Sequence, residues 1–185
     1  MIYNSLDIKF KVIYLDSDRD CDIAVVVING FQLVKRYCRD GIAKRGMEVV
    51  PETLALRSDS RLPIMIIGEL NARSILAGND KSHTAGKIID DFIQRPDGTF
   101  HIINDGKMTF HRQNRSLSIL DLCIMSDKAI EYLDACSTCN LLDSEHFPII
   151  VSLRITASER LKSVDDEEFP VRQCNIRNVS DEFDI

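Results

Sequence analysis

The stretch Ile64-Met65-Ile66-Ile67-Gly68-Glu69-Leu70-Asn71-Ala72 decides how this chain is read. An apolar run bounded by Pro63 and Gly68 suits a strand covered on both faces. Glu69 and Asn71 follow two apart, and in extended backbone such residues project to the same side. An acid beside a carboxamide at a strand exit can hold a water molecule or a phosphate oxygen. The same pattern also makes an ordinary turn.

Two later segments supply chemical partners. Ser118-Ile119-Leu120-Asp121-Leu122-Cys123-Ile124 reads as an apolar strand with one acid, Asp121, in its middle. Burying that acid is costly unless it is paired. Ser144-Glu145-His146-Phe147-Pro148 leads into a third apolar run, Ile149-Ile150-Val151-Ser152-Leu153, and His146 is the natural partner. An Asp–His pair fixes the imidazole tautomer and favours its protonated form, which suits a ring facing a phosphate. Glu145 would orient His146 or give a divalent cation a hard oxygen ligand. The hydroxyls of Thr109 and Ser118 read either as caps on backbone groups or as contacts to a substrate phosphate. His83, His101 and His111 have no motif context. Arg112 and Arg115 belong to a loop that is solvated or touches a nucleic-acid backbone.

These residues resemble the endonuclease/exonuclease/phosphatase superfamily, and among its members the endonuclease domain of non-LTR retrotransposons. Its Gly-Asp-Phe-Asn-Ala is similar to Gly68-Glu69-Leu70-Asn71-Ala72. Its Leu-Asn-x-Gly-x-x-Thr is similar to Ile103-Asn104-Asp105-Gly106-Lys107-Met108-Thr109. Its Ser-x-Ile-Asp-Leu resembles Ser118-Ile119-Leu120-Asp121-Leu122, and its Ser-Asp-His-x-Pro-Ile resembles Ser144 to Ile149. The four motifs occur in order, and the match is best over 63–153. The resemblance implies a four-layer α/β sandwich, incomplete at its N-terminal side. It also implies hydrolysis of DNA phosphodiesters assisted by Mg²⁺ or Mn²⁺, with Glu69, Asn71, Asp121 and His146 as catalytic residues. Glu145 would be the metal ligand, and Thr109 and Ser118 the substrate contacts. The family's Gln-Glu metal motif and its Tyr-bearing strand have no recognisable counterpart upstream. Glu69 and Glu145 stand where the family has Asp, and each moves its carboxylate out by about one C–C bond. A displacement of about 1 Å can cost ~10²-fold in rate, so weakened or lost activity is expected.

Composition bounds the reading. The 185 residues make one domain by length, and 44% hydrophobic content supports a substantial core. The net charge of −6 and pI near 5.2 argue against a strong phosphate-backbone footprint. The stretch 157–185 holds eight acids against four bases, so −4 of the −6 lies there and the remainder is only mildly acidic. That stretch is charged and aperiodic and reads as a disordered tail following a domain at 1–156. The first residues, Met1-Ile2-Tyr3-Asn4-Ser5, lead into polar sequence, and no apolar stretch approaches the ~20 residues that span a bilayer. An intracellular setting, nuclear or cytoplasmic, is expected, without membrane contact. Six cysteines without a signal peptide point to reduced thiols. Cys136-Ser137-Thr138-Cys139 has metal or redox spacing but no second pair to complete a site, so these read as strand or loop cysteines.

Periodicity predicts strands at 8–15 and 23–28, and Asn29-Gly30 ends the second. Residues 31–45 are compatible with a helix, although the resemblance implies extended chain there. Residues 51–57 suit a short helix. The clearest helix is 84–94, with Thr84 as N-cap and Ile88, Ile89, Phe92 and Ile93 forming one stripe. Further strands are expected at 99–103, 108–110, 117–125, 131–142 and 148–155. A sheet left short of strands would expose an unpaired edge and invite self-association.

Two functional classes stand against each other: a metal-dependent DNA endonuclease, and an inactive remnant persisting as a binding or interaction module. A phosphatase of small phosphorylated ligands is a third reading, better suited to the acidic balance.

Overall fold

The stretch 64–69 is the strand that its sequence predicts, and it lies inside a six-stranded mixed sheet. The computed structural model describes residues 10–17, 21–28, 30–39, 62–96, 99–112, 117–139 and 144–154. The sheet contains β1 (Phe10–Ser17), β2 (Cys21–Ile28), β3 (Phe31–Cys38), β4 (Ile64–Glu69), β5 (Phe100–Ile102) and β6 (Asp121–Ser126), in the spatial order β1-β2-β3-β4-β6-β5. All neighbours are antiparallel except β3 and β4. β7 (Leu133–Thr138) and β8 (Ile149–Leu153) form a second, two-stranded antiparallel sheet.

The apolar residues of the large sheet divide between its faces. Val25, Val34, Ile64, Ile66, Leu122 and Ile124 pack against helix α1 (Thr84–Ile93) through Ala85, Ile89 and Phe92. Met65, Ile67, Cys123 and Met125 face the other way, toward Leu133, Ile149, Val151 and the short helix α2 (Asp127–Ile130). Helix, six-stranded sheet and small second sheet are therefore stacked, which is the incomplete α/β sandwich expected. At roughly 25 cal/mol per Å² of apolar surface buried, each fully covered Ile or Leu contributes about 1.5–3 kcal/mol.

Several local expectations need correction. Residues 31–38 are a strand, not the start of a helix: Gln32, Val34, Arg36 and Cys38 alternate as buried positions, and a period of two is that of a strand. Thr84 is the first helical residue, and the N-cap is His83, which makes no side-chain capping bond. The strand expected at 117–125 begins only at Asp121, because Asn79 intercepts the backbone of Ile119. Its Oδ1 accepts the Ile119 N–H at 2.9 Å and its Nδ2 donates to the Ile119 carbonyl at 3.1 Å. The stretch 108–110 contributes two isolated bridges, Phe110 to Ser118 and Phe110 to His146, not a strand. The predicted helix at 51–57 and the acidic tail at 157–185 lie outside the described residues.

Candidate active site

Gly68 sets the exit of β4. Its φ is +152°, and a Cβ there would come within 1.8 Å of the Arg36 carbonyl oxygen on the parallel strand β3. Only glycine allows this approach. Asn71 follows with φ +48°, a left-handed conformation that asparagine tolerates better than most residues.

The turn brings the Asn71 amide back onto two acceptors. Its Nδ2 donates to the Cys38 carbonyl at 2.6 Å and to Glu69 Oε1 at 2.9 Å. Both amide hydrogens are thereby committed. Oδ1 remains as the acceptor that Asn71 can present to a water proton. Glu69 is the register partner of Asp121 on β6, so two carboxylates stand opposite each other on adjacent antiparallel strands.

His146 closes the group. The segment carrying it is laid against the stretch 109–111 by two backbone hydrogen bonds that together make one antiparallel bridge. His111 N donates to the Glu145 carbonyl at 2.7 Å, Phe147 N donates to the Thr109 carbonyl at 2.8 Å, and Phe110 and His146 form an antiparallel bridge. The Phe110 ring lies against the imidazole with centroids 4.8 Å apart. The ring's Nδ1 is then 2.9 Å from Asp121 Oδ2, and its Nε2 is 3.7 Å from Glu69 Oε1. Burial pushes the Asp121 carboxyl above the usual carboxylate range, and the bond to His146, its charge and the Thr109 hydroxyl pull it back only in part.

Of the residues expected from sequence, the fold gathers Glu69, Asn71, Asp121 and His146. It does not gather the other three. Glu145 points away: its Oε1 pairs with Arg112 Nε at 3.6 Å, both side chains being about half exposed. Thr109 and Ser118 are 0% and 1% exposed, so neither hydroxyl can reach a substrate. Thr109 instead braces the site. Its Oγ1 accepts the N–H groups of both Leu120 and Asp121 at 3.0 Å.

Sequence reasoning passed over two further supports. Asn104 acts as a substitute ladder partner for β6, donating to the Asp121 carbonyl and accepting from Cys123 N, each at 3.0 Å. It lies within the Ile103–Thr109 motif, so the signal was present but carried no assigned role. Upstream of the recognised motifs, β3 carries a tyrosine, Tyr37. Tyr37 is the register partner of Glu69 and therefore shares its side of the sheet.

A hard divalent cation fits these residues. Like charges directly opposite across a strand pair are destabilising, and Glu69 and Asp121 present such a pair. One oxygen or nitrogen from each of Glu69, Asp121 and His146 lies within 4.8 Å of the others. Two partly buried carboxylates are the donor set that Mg²⁺ or Mn²⁺ prefers.

Comparisons with known proteins agree with the fold. The chain spans 80% of its length against 68% of the endonuclease domain of TRAS1, a telomere-specific non-LTR retrotransposon, at 15% identity and a TM-score of 0.61. An AP endonuclease from Archaeoglobus fulgidus matches over 80% of this chain and 71% of its own, at 15% identity and a TM-score of 0.58. A 3′-5′ exonuclease from Neisseria meningitidis matches over the same shares, 80% and 71%, at 12% identity and a TM-score of 0.55. No curated protein matches at the level of sequence. Residues 31–150 match the family described as endonuclease-reverse transcriptase, a span that reaches upstream of 63 to include β3 and Tyr37. With the fold, the motifs and more than half of its length in agreement, the chain belongs to the endonuclease-reverse transcriptase family of the endonuclease/exonuclease/phosphatase superfamily.

Proposed function

We propose that this chain hydrolyses phosphodiester bonds in DNA with the help of a divalent cation, Mg²⁺ or Mn²⁺. Hydrolysis of phosphodiesters or phosphate esters is the chemistry of its superfamily. DNA as substrate and the identity of the metal are the specific parts of the proposal. The observation that carries it is the 2.9 Å contact between His146 Nδ1 and Asp121 Oδ2 beside the Glu69–Asn71 pair.

The Asp121 carboxylate accepts from Nδ1–H, so a protonated His146 presents Nε2–H as a donor. A non-bridging phosphoryl oxygen that gains negative charge as water adds to phosphorus is the acceptor such a donor stabilises. Asn71 Oδ1 accepts a hydrogen bond from the incoming water, and the Glu69 carboxylate accepts the second, which aims the water's lone pair. Glu69 and Asp121 would hold the cation, which when bound neutralises phosphate charge and lowers the pKa of water. Thr109 and Asn104 keep the start of β6 in place while this happens. The two Glu-for-Asp positions do not weigh equally: Glu145 is outside the site, and Glu69 still reaches Asn71 at 2.9 Å.

Nicking of supercoiled plasmid by the purified chain, with Mn²⁺ or Mg²⁺ and with a His146→Ala control, tests the proposal. Metal-dependent nicking lost in the variant supports it. Cleavage that survives both His146→Ala and EDTA refutes it. A folded, metal-binding protein that does not nick DNA would instead favour the inactive binding module.

A further inference from the structure

Behind the site, two cysteines face each other across an antiparallel strand pair. Cys21 opens β2, Cys38 ends β3, and the two are register partners. Their sulfurs are 3.3 Å apart, with the Cys21 thiol donating to Cys38 Sγ. Arg36 Nε donates to the same Cys38 sulfur at 3.2 Å, and its Nη2 lies 4.0 Å from Cys21 Sγ. Cys38 is fully buried and Cys21 is partly exposed. The Cys38 carbonyl is also the acceptor that holds the Asn71 amide at 2.6 Å.

We infer that Cys21 and Cys38 form a dithiol site that reacts with low-molecular-weight disulfides, and that closing the Cys21–Cys38 disulfide shifts Asn71 in the candidate active site. The strand-pair geometry is close to what the bond needs. Opposed Cβ atoms on antiparallel strands are about 4.5–5.5 Å apart, and a disulfide asks for about 3.5–4.5 Å. The required closure is of order 1 Å. It falls at the first residue of one strand and the last of the other, where the ladder constrains the backbone least.

The exchange balances without another reactant. Cys21, the accessible thiol, loses its proton and attacks one sulfur of RSSR. That S–S bond breaks, and the departing thiolate takes up a proton to leave as RSH. Cys38 then attacks the Cys21 sulfur of the mixed disulfide, and the second RS group leaves as RSH with the Cys38 proton. Two protein thiols are oxidised and one small disulfide is reduced to two thiols. Arg36 favours thiolate at the pair. Burial, then the hydrogen bond and charge of Cys38, push the Cys21 thiol up to about 12, and Arg36 offsets this only in part. The exchange is therefore slow near neutrality and accelerates as pH rises.

The site is not one with the phosphodiesterase proposal and is tested apart from it. The full chain is equilibrated in glutathione buffers of increasing oxidised fraction, then acid-quenched, alkylated and mapped by peptide mass spectrometry. The expected result is a reversible Cys21–Cys38 cross-link that forms before any pairing of Cys123, Cys136, Cys139 or Cys174. Recovery of Cys21 and Cys38 in alkylated form while other cysteines pair overturns the site. A glutathione that remains on Cys21 without transfer to Cys38 also overturns it. For the link to the active site, the Asn71 side-chain amide resonances are followed by ¹⁵N NMR, assigned by their loss in Asn71→Ser. They should shift on oxidation of the parent chain and stay fixed in Cys21→Ser under the same buffer. Unchanged resonances in the cross-linked parent would remove the coupling. Retained circular dichroism of the oxidised chain separates a local shift from unfolding.

Discussion

Glu69 and Asp121 are register partners on the adjacent antiparallel strands β4 and β6, so two carboxylates stand side by side on one face of the sheet. A fold that places acids this way needs positive charge between or beside them. His146, when protonated, supplies one such charge, its Nδ1 lying 2.9 Å from Asp121 Oδ2. A divalent cation would supply the other, leaving the site positive enough to receive a phosphate. The catalytic and stability consequences of this pairing can be separated by mutation.

His146→Ala removes the only imidazole in the group, and Asp121→Asn removes the acceptor that orders its protons. Each is expected to lower the nicking rate by ~10²–10⁴-fold, the range typical of a positioned proton donor or acceptor. The double variant should lose little more than the worse single one, because the two residues act as a unit. Additive losses, measured as initial rates on supercoiled plasmid, would show that they act separately.

The pH dependence of stability should differ between Asp121→Asn and the parent chain. Burial raises the Asp121 carboxyl above its ordinary range. The unfolded chain therefore gives up this proton first as pH rises. The contribution of Asp121 to stability is complete below the ordinary carboxylate pKa and is lost as pH climbs through the raised one. Melting temperatures of Asp121→Asn and parent should converge in acid. Near neutrality the variant should be the more stable, although it should nick DNA more slowly. A variant that melts lower than the parent at neutral pH would contradict this sign.

Metal affinity should respond to Glu69 and ignore Glu145. Glu69→Gln is expected to weaken Mn²⁺ binding by ~10-fold or more. Glu145→Gln removes only an exposed pair with Arg112, an interaction worth about 0.2–1 kcal/mol, and should leave the affinity within a few-fold. Calorimetric titration of each purified chain reads the difference without requiring turnover.

Thr109→Val preserves shape but leaves the Leu120 and Asp121 N–H groups without their shared acceptor. Two buried donors stripped of a partner cost about 2–5 kcal/mol together, or roughly 5–15 °C in Tm for a chain of this size. Gly68→Ala should be worse, because the added carbon meets the Arg36 carbonyl at 1.8 Å in backbone that alanine avoids. Loss of soluble folded protein is the expected outcome for Gly68→Ala, and a reduced but cooperative melt for Thr109→Val.

The parts of this fold that were legible in the sequence are those where one physical rule dominates. The run 64–69 is apolar and bounded by Pro63 and Gly68, and the stripe of α1 repeats at helical spacing. Asp121 and His146 were readable as partners because an acid in an apolar strand demands one. Residues 31–38 were not, since Lys35 and Arg36 in mid-strand mask an alternation that only the buried Arg36 and Gln32 reveal. The late start of the expected 117–125 strand depends on Asn79, forty residues away, capturing the Ile119 backbone. Thr109 and Ser118 were assigned outward roles because a hydroxyl's direction is set by packing, which spacing alone does not contain. Glu145 was misplaced for the same reason: its neighbour His146 turns inward while its own carboxylate meets Arg112.

The two outer strands of the large sheet carry a consequence for how copies of this chain meet. β1 has a neighbour on one side only among the described residues, and its register slips between Val12 and Tyr14. Such a slip twists the strand and interrupts the even spacing of its outward N–H and C=O groups. At the opposite margin β5 is only three residues long. Neither rim offers the long, flat row of hydrogen-bonding groups on which another strand could be laid. Pairing of two copies through either of these two strands is therefore disfavoured by the strands' own geometry.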